Sequence, residues 1–247
     1  MTMRREVNLY SPHWFEFFHV GIAETRTTRE VDFICACAPS PRFRDIVDVC
    51  CGMGRHARAL VSRSYNVVGV ERDSAAIARA RKLSGGPRYV HADVRDYPPK
   101  TSAYDVAIVM SQSFGYFDAA TNRKVLQQLA SGLREGGRVV LDLWQPEFFV
   151  AHQGERDFQV LGGIVRERKV VKDGRLFVQL EYPDGAQERF EWQLFTPSEM
   201  TALANEAGLS LIATCTDFDL ATKPDAAKPR IQFVLERDSL WGSAACR

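Results

Sequence analysis

From Ile46 to Leu143, short apolar runs alternate with longer stretches of helical period. Ile46–Val49, Val67–Val70, Tyr89–His91, Val106–Val109 and Val139–Leu143 are apolar without alternation. That is the pattern of parallel strands covered by helices on both faces. Between them the spacing predicts helices over His56–Ser64, over Ser74–Leu83 with a stop at Gly85-Gly86, and over Thr121–Arg134 closed by Gly136-Gly137. Upstream, residues 13–36 read as one or two amphipathic helices rich in aromatics. From Phe158 to Phe195 polar and apolar residues alternate, with Asp173-Gly174 and Asp184-Gly185 at hairpin spacing. A helix then opens on a capping box, with Thr196 at the N-cap, Pro197 at N1 and Glu199 at N3, and stops at Gly208. Two strands, Leu209–Thr214 and Ile231–Leu235, follow, joined by a loop holding Pro224 and Pro229.

This order predicts an α/β fold: a doubly wound, seven-stranded, Rossmann-like sheet whose last strand is antiparallel, with a small antiparallel β insert after the fifth strand. One domain over residues 1–247 is expected, with 1–40 as an N-terminal helical lid and 157–195 as the insert. Ligands of such sheets bind at the carboxyl ends of the strands, near the point where the winding reverses.

Composition adds exclusions. With 32 Lys+Arg against 31 Asp+Glu, the formal net charge is +1, which argues against binding nucleic acid or an anionic membrane by bulk charge. No apolar run approaches the roughly 18–20 residues that span a bilayer. Arg4, Arg5 and Glu6 open a terminus without the apolar stretch of a signal peptide, so a cytoplasmic location is expected. Cys35, Cys37, Cys50, Cys51, Cys215 and Cys246 form no C-x-x-C and no zinc spacing with histidine; they read as reduced thiols, and no metal site is expected.

The densest chemistry lies in Asp48-Val49-Cys50-Cys51-Gly52-Met53-Gly54-Arg55-His56. A strand ends in a carboxylate, and two glycines separated by one residue lead into a helix. Glycine lets the backbone approach a ligand, and the helix start offers unpaired N–H groups to a carboxylate or phosphate. Glu71 ends the second strand, where a carboxylate can accept both ribose hydroxyls of a nucleoside. Gly52 to Ala57 also fits the dinucleotide fingerprint G-x-G-x-x-A. Asp48 separates the two readings: a carboxylate there is unwelcome to a pyrophosphate but neutralises the ammonium of an amino acid. Asp93, just after the third strand, is suited to accept from an adenine amino group.

These residues resemble the first motif of the class I S-adenosylmethionine-dependent methyltransferases, with Glu71 matching the family's ribose-binding acid and Asp93-Val94 its adenine-binding pair. Tyr104 to Ser111 resembles the fourth strand, and the likeness runs through Leu194–Met200 and Glu206-Ala207-Gly208 to the final strands. The nearest branch in pattern is bacterial small-molecule methyltransferases. Cys50 departs from the glycine most common there and implies a slightly altered turn with binding retained. The resemblance implies S-adenosyl-L-methionine as cofactor. Asp48, Cys50, Gly52, Gly54, Arg55, Glu71, Arg72, Asp93 and Val94 would hold it, and Met110 and Ser111 would flank its methionine end.

Ser111-Gln112-Ser113-Phe114-Gly115-Tyr116-Phe117 stands where the methyl group would emerge. It lacks the Asn/Asp-Pro-Pro-Tyr/Phe of enzymes that methylate nucleobase or amide nitrogens. Phe114, Tyr116 and Phe117 read either as core or as an aromatic wall around acceptor and sulfonium. The N-terminal aromatics Tyr10, Trp14, Phe15, Phe17 and Phe18 read either as a buried helix or as a lid with Tyr10 near the sulfonium. Tyr10, His13, Gln112, Tyr116 and Phe117 are the candidates for the acceptor side. His13 or His19 could take a proton, His56 would fix the glycine turn, and Asp142 serves either the acceptor or a turn. The expected reaction moves a methyl group to a nitrogen or oxygen of a small molecule. The rivals are an NAD(P)-dependent oxidoreductase, a non-catalytic cofactor-binding domain and, within the family, a protein or RNA acceptor. The insert is also a candidate contact in a homo-oligomer.

Overall fold

The computed structural model describes residues 8, 10–14, 22–83, 85–97, 101–160 and 162–238. The chain builds α1 (Pro12–Trp14), α2 (Glu24–Cys37), β1 (Asp45–Val49), α3 (Arg55–Val61), β2 (Asn66–Glu71), α4 (Ser74–Lys82), β3 (Arg88–His91) and β4 (Tyr104–Val109). It continues with α5 (Ala119–Gly132), β5 (Leu133–Trp144), α6 (Pro146–Ala151), β6 (Gly154–Val160), β7 (Gly163–Lys172), β8 (Arg175–Glu181), β9 (Gln187–Gln193), α7 (Pro197–Glu206), β10 (Leu209–Cys215) and β11 (Arg230–Arg237).

Seven strands form one sheet in the order β10-β11-β5-β4-β1-β2-β3, and β6 to β9 form a second, four-stranded meander. In the large sheet β1, β2, β3, β4 and β5 are parallel, while β11 runs antiparallel to both β5 and β10. The pleat sorts the apolar runs to two faces. Val47, Val49, Ala107, Val109, Val139, Leu141 and Phe233 join α5 and α7 in one core; Ile46, Val106, Ile108, Val140 and Val234 join α2 and α3 in the other. Both faces being covered is why these strands carry no alternation. Helix starts are fixed locally. Asp73 caps α4, Asp118 caps α5, and the capping box at Thr196 and Glu199 forms as its sequence predicts.

Three expectations need correction. Helix α5 stops at Gly132, not near Arg134, and Gly136-Gly137 lie inside β5 rather than closing a helix. There the β4–β5 register shifts between Tyr104 and Val106, a bulge in which a Cβ on Gly137 would meet the Arg134 and Asp105 carbonyls at 2.8 and 2.9 Å. Arg134 leaves the helix to pair with Asp45 and Asp105 at 2.9 and 2.6 Å. The pattern did not announce α6, and the insert starts at Gly154, before residue 157, because β6 is exposed along most of its length and carries little apolar signal. Phe15, Phe17, Phe18, His19 and Cys246 lie outside the described residues. No helix among the described residues is long and apolar enough to cross a membrane.

The winding reverses between β1 and β4, so a crevice opens at their carboxyl ends. Two attachments join the insert and the N-terminal segment beside it. The Gln193 N–H donates to the Gly115 carbonyl at 2.8 Å, tying β9 to the loop after β4. Asn8 donates from Nδ2 to the Glu191 carbonyl and accepts from the Glu191 N–H, both at 2.8 Å, tying the N-terminal segment to the insert.

Candidate active site

The crevice is a cleft of about 610 Å³. Its floor is the turn between β1 and α3. Cys50, Gly52 and Gly54 all take left-handed φ, at +58°, +55° and +73°. Cys50 has a Cβ, so this left-handed conformation costs about 1–2 kcal/mol there. A Cβ on Gly52 would meet nothing within 4 Å, which leaves open space above the turn for a ligand. Gly54 points the other way: a Cβ there would overlap the Tyr89 hydroxyl, and one on Gly69 would lie 2.7 Å from the same ring. Gly54 therefore lets α3 pack against β3 and does not itself line the cleft.

Asp48 is buried at the cleft floor, and its Oδ2 has no hydrogen-bond partner. Burial pushes its carboxyl up to about 7, with Glu71 adding to the rise, while Arg55 and a bond from the Ala57 N–H oppose it. An unpartnered buried carboxylate is costly, so this atom is poised for a cation. At the tip of β2, Glu71 accepts from the N–H of Arg72 (2.7 Å) and Asp73 (2.9 Å) on Oε1 and of Gly52 (2.9 Å) on Oε2. A carboxylate has about four lone-pair sites. Three are used, leaving one on Oε2 for a hydroxyl.

Asp93 is similarly engaged. Arg95 donates to it from its backbone N–H, Nε and Nη2 at 2.9, 2.9 and 2.7 Å and lies 4.6 Å over the Phe117 ring. Burial alone would raise the Asp93 carboxyl, but the Arg95 contacts win and hold it below the usual range. Oδ2 keeps one acceptor site for an amino group.

The far wall is aromatic. The Tyr10 and Tyr116 hydroxyls are hydrogen bonded at 2.8 Å; Tyr10 also contacts Trp14 (4.4 Å) and Phe190 (5.2 Å between ring centres). Burial raises both phenols, Tyr10 well above its ordinary value and Tyr116 to about 12. Burial likewise raises the Cys50 thiol.

Of the sequence candidates, Tyr10, Asp48, Cys50, Gly52, Arg55 and Glu71 come together on this cleft, as do Arg72, Asp93, Val94, Met110, Ser111, Tyr116 and Phe117. Gly54, Gln112 and His13 do not. Gln112 is buried and spent on the fold: its Nε2 donates to the Phe114 carbonyl at 3.1 Å and its Oε1 accepts from the Trp144 N–H. His13 bonds Asp184 at 2.9 Å at an exposed edge of the insert and stacks on Tyr182. Asp142 takes the turn role: it accepts from the Ser111 N–H (3.1 Å) and Gln232 (2.8 Å) and pairs with Arg230. His56 is buried beneath the turn against Glu30 at 2.7 Å, and burial lowers its basicity.

Sequence reasoning missed Arg95, Ser113 and Glu30. Arg95 carried a signal, a cation two residues from Asp93. Glu30 carried another, an acid within the apolar set Val31, Phe33, Ile34 and Cys37 of α2. Among the described residues no group of three or more His, Cys, Asp and Glu is placed to hold a metal ion.

Fold and cleft define a doubly wound α/β sheet with a cleft at the carboxyl ends of its strands and carboxylates at its floor. Residues 46–137 match the sequence family described as "Methyltransferase domain". The demethylmenaquinone methyltransferase of Clavibacter sepedonicus is 31% identical over 99 residues, 39% of this chain and 39% of that protein, so the match spans about two fifths of that relative. In structure, an S-adenosylmethionine-dependent methyltransferase from Clostridium acetobutylicum superposes with a TM-score of 0.76 at 15% identity, covering 92% of this chain and 96% of that one. An amino pentose methyltransferase of calicheamicin biosynthesis from Micromonospora echinaspora, with S-adenosylmethionine bound, gives 0.70 at 21%, covering 94% and 100%. The architecture is that of the class I S-adenosylmethionine-dependent methyltransferase fold, and the family match falls on its central segment, residues 46–137.

Proposed function

We propose that this chain is an S-adenosylmethionine-dependent methyltransferase acting on a nitrogen or oxygen of a small-molecule acceptor. The observation that carries the reading is the cleft floor: an orphaned buried carboxylate at Asp48 beside a Gly52 turn with nothing above it. These residues fit the cofactor. Asp48 faces its ammonium, the single open site on Glu71 takes a ribose hydroxyl, and Asp93 with Val94 receives the adenine edge. A pyrophosphate, as in NAD(P), would meet the Asp48 carboxylate instead.

S-Adenosylmethionine supplies, when bound, a methyl carbon activated by the positive sulfur. The chain's task is alignment and exclusion of water, and holding two reactants in line contributes on the order of 7–11 kcal/mol to lowering a barrier. The acceptor's lone pair forms the new bond to carbon as the carbon–sulfur pair returns to sulfur. Tyr10 and Tyr116 stay protonated at neutral pH, so they orient the acceptor through oxygen lone pairs and do not serve as bases. An amine near its own pKa needs no base in the cleft: its methylated product gives up the proton to solvent after release. The roof of insert and N-terminal segment, a lid over the cleft in this reading, confines the acceptor to a discrete molecule; structural likeness to an amino pentose methyltransferase supports the same class.

Calorimetry with S-adenosylhomocysteine and with NAD(P), followed by mass-spectrometric detection of methyl transfer to a panel of amino sugars, amines and phenols, tests this. Binding of S-adenosylhomocysteine with a mass gain of one methylene on an acceptor is expected. Binding of NAD(P) alone would overturn the reading.

A further inference from the structure

Behind the glycine turn lies a charge cluster that the methyl transfer itself does not touch. Glu30, on the inner face of α2, has no exposed side-chain surface, yet two guanidinium groups and the His56 imidazole surround it. Arg26 Nε lies at 2.9 Å and His56 Nε2 at 2.7 Å, and Arg55 forms an ion pair with Oε2. Burial alone would push the carboxyl up, but the bonds and charges of His56 and Arg55 win and hold it far below its ordinary value. A buried carboxylate persists as an anion only when so compensated.

Arg55 and His56 both border the cleft, and Arg55 is the guanidinium that reaches it. Its Nη1 donates to Thr27 Oγ1 at 3.0 Å and pairs with Glu30; its Nη2 donates to Ser111 Oγ at 3.2 Å. The guanidinium is thus pinned from two sides, by α2 and by the loop after β4. A guanidinium has five N–H donors, so one N–H of Nη2 and the Nε–H have no partner among the described residues. The neighbouring charge on the floor is Asp48, close enough for Arg55 to oppose its rise. Beside a ligand ammonium, which favours the ionised form of Asp48, the two would present opposite charges, the complement of an amino-acid zwitterion.

Resting on the cofactor reading above, we propose that Glu30 is a positioning residue. It holds the Arg55 guanidinium so that its remaining N–H groups receive the α-carboxylate at the cofactor's amino-acid end. Affinity for that end then depends on a residue of α2 that touches no ligand, while affinity for the nucleoside end does not.

The test compares two ligands by calorimetry on the full chain: S-adenosylhomocysteine, and 5′-methylthioadenosine, which keeps the nucleoside and thioether but lacks the amino acid. Glu30→Gln should weaken S-adenosylhomocysteine about tenfold or more, the scale of one charge-assisted hydrogen bond. Binding of 5′-methylthioadenosine should stay within about twofold. Equal loss of both ligands would make Glu30 a merely structural residue, and loss of neither would remove it from the site; either overturns the proposal. Should Glu30→Gln not fold, Thr27→Val decides, since it takes one anchor from Arg55 and leaves the buried carboxylate; the same selective loss, smaller in size, is expected. Wild-type protein that binds neither ligand would instead sink the cofactor reading itself.

Discussion

Asp48 holds a proton up to about pH 7 because burial penalises its charge and its Oδ2 has no donor. An unfolded aspartate gives that proton up near its ordinary value, so between about pH 4 and 7 the folded chain binds more protons than the unfolded one. This residue therefore makes the free protein less stable as pH rises through that window, with no further change above it. A ligand ammonium beside the carboxylate favours the ionised form, so binding below pH 7 must expel a proton. Affinity for S-adenosylhomocysteine should accordingly rise from pH 5.5 to about 7 and then level off. Calorimetry in two buffers of different ionisation enthalpy would count the proton. Asp48→Asn should bind more weakly and lose the slope; an unaltered pH curve in that variant would remove Asp48 from the ammonium site.

At the scale of elements, the site depends on how the insert is joined to the sheet. Gly115 has φ +95°, and a Cβ there would lie 2.7 Å from the Gln193 carbonyl of β9. Asn122 clasps the same junction, donating to Phe117 O at 2.9 Å and Gln193 Oε1 at 2.8 Å. Gly185 has φ +85° at a hairpin tip, with open space around it. Gly115→Ala should cost on the order of 1–3 kcal/mol in urea unfolding and weaken cofactor binding by moving Tyr116 and Phe117. Gly185→Ala should show only the smaller strain of its turn, with binding unchanged. Equal effects on binding from the two would deny the junction its role. Gly115 also marks the limit of what the sequence made legible. The β1–glycine turn, the acid at Glu71 and the Thr196 capping box were readable because residues within a few positions decide them. The Gly136-Gly137 bulge was not, because Arg134 is drawn out of the helix by Asp45 and Asp105, far away in sequence. Gln112 and His13 carried plausible chemistry, but distant partners, Trp144 and Asp184, consume it. Glu30 was legible only as an acid on an apolar face; its partners Arg55 and His56 had to be brought to it by the packing of α2 on α3.

For the molecule as a whole, three regions separated in sequence close on one cleft. The turn after β1 supplies Cys50 and Gly52, the N-terminal segment supplies Tyr10 and Trp14, and the loop under the insert supplies Tyr116 and Phe117. The described N-terminal residues are tied to the insert and to the loop after β4: Asn8 on Glu191, Ser11 N–H on Glu188 at 2.8 Å, Tyr10 on Tyr116 and Phe190. Parts of a fold open locally with their own free energies, and a ligand that bridges several of them raises those free energies together. At a ligand concentration of about 100 times Kd the gain is about 2.7 kcal/mol wherever opening requires release of the ligand. Hydrogen exchange with and without S-adenosylhomocysteine should therefore show added protection in residues 50–55, 10–14 and 113–117 alike, while the outer strand β6 stays unchanged. Protection confined to residues 48–95 would mean that the roof closes without the cofactor's help, and the N-terminal aromatics would then belong to the acceptor alone.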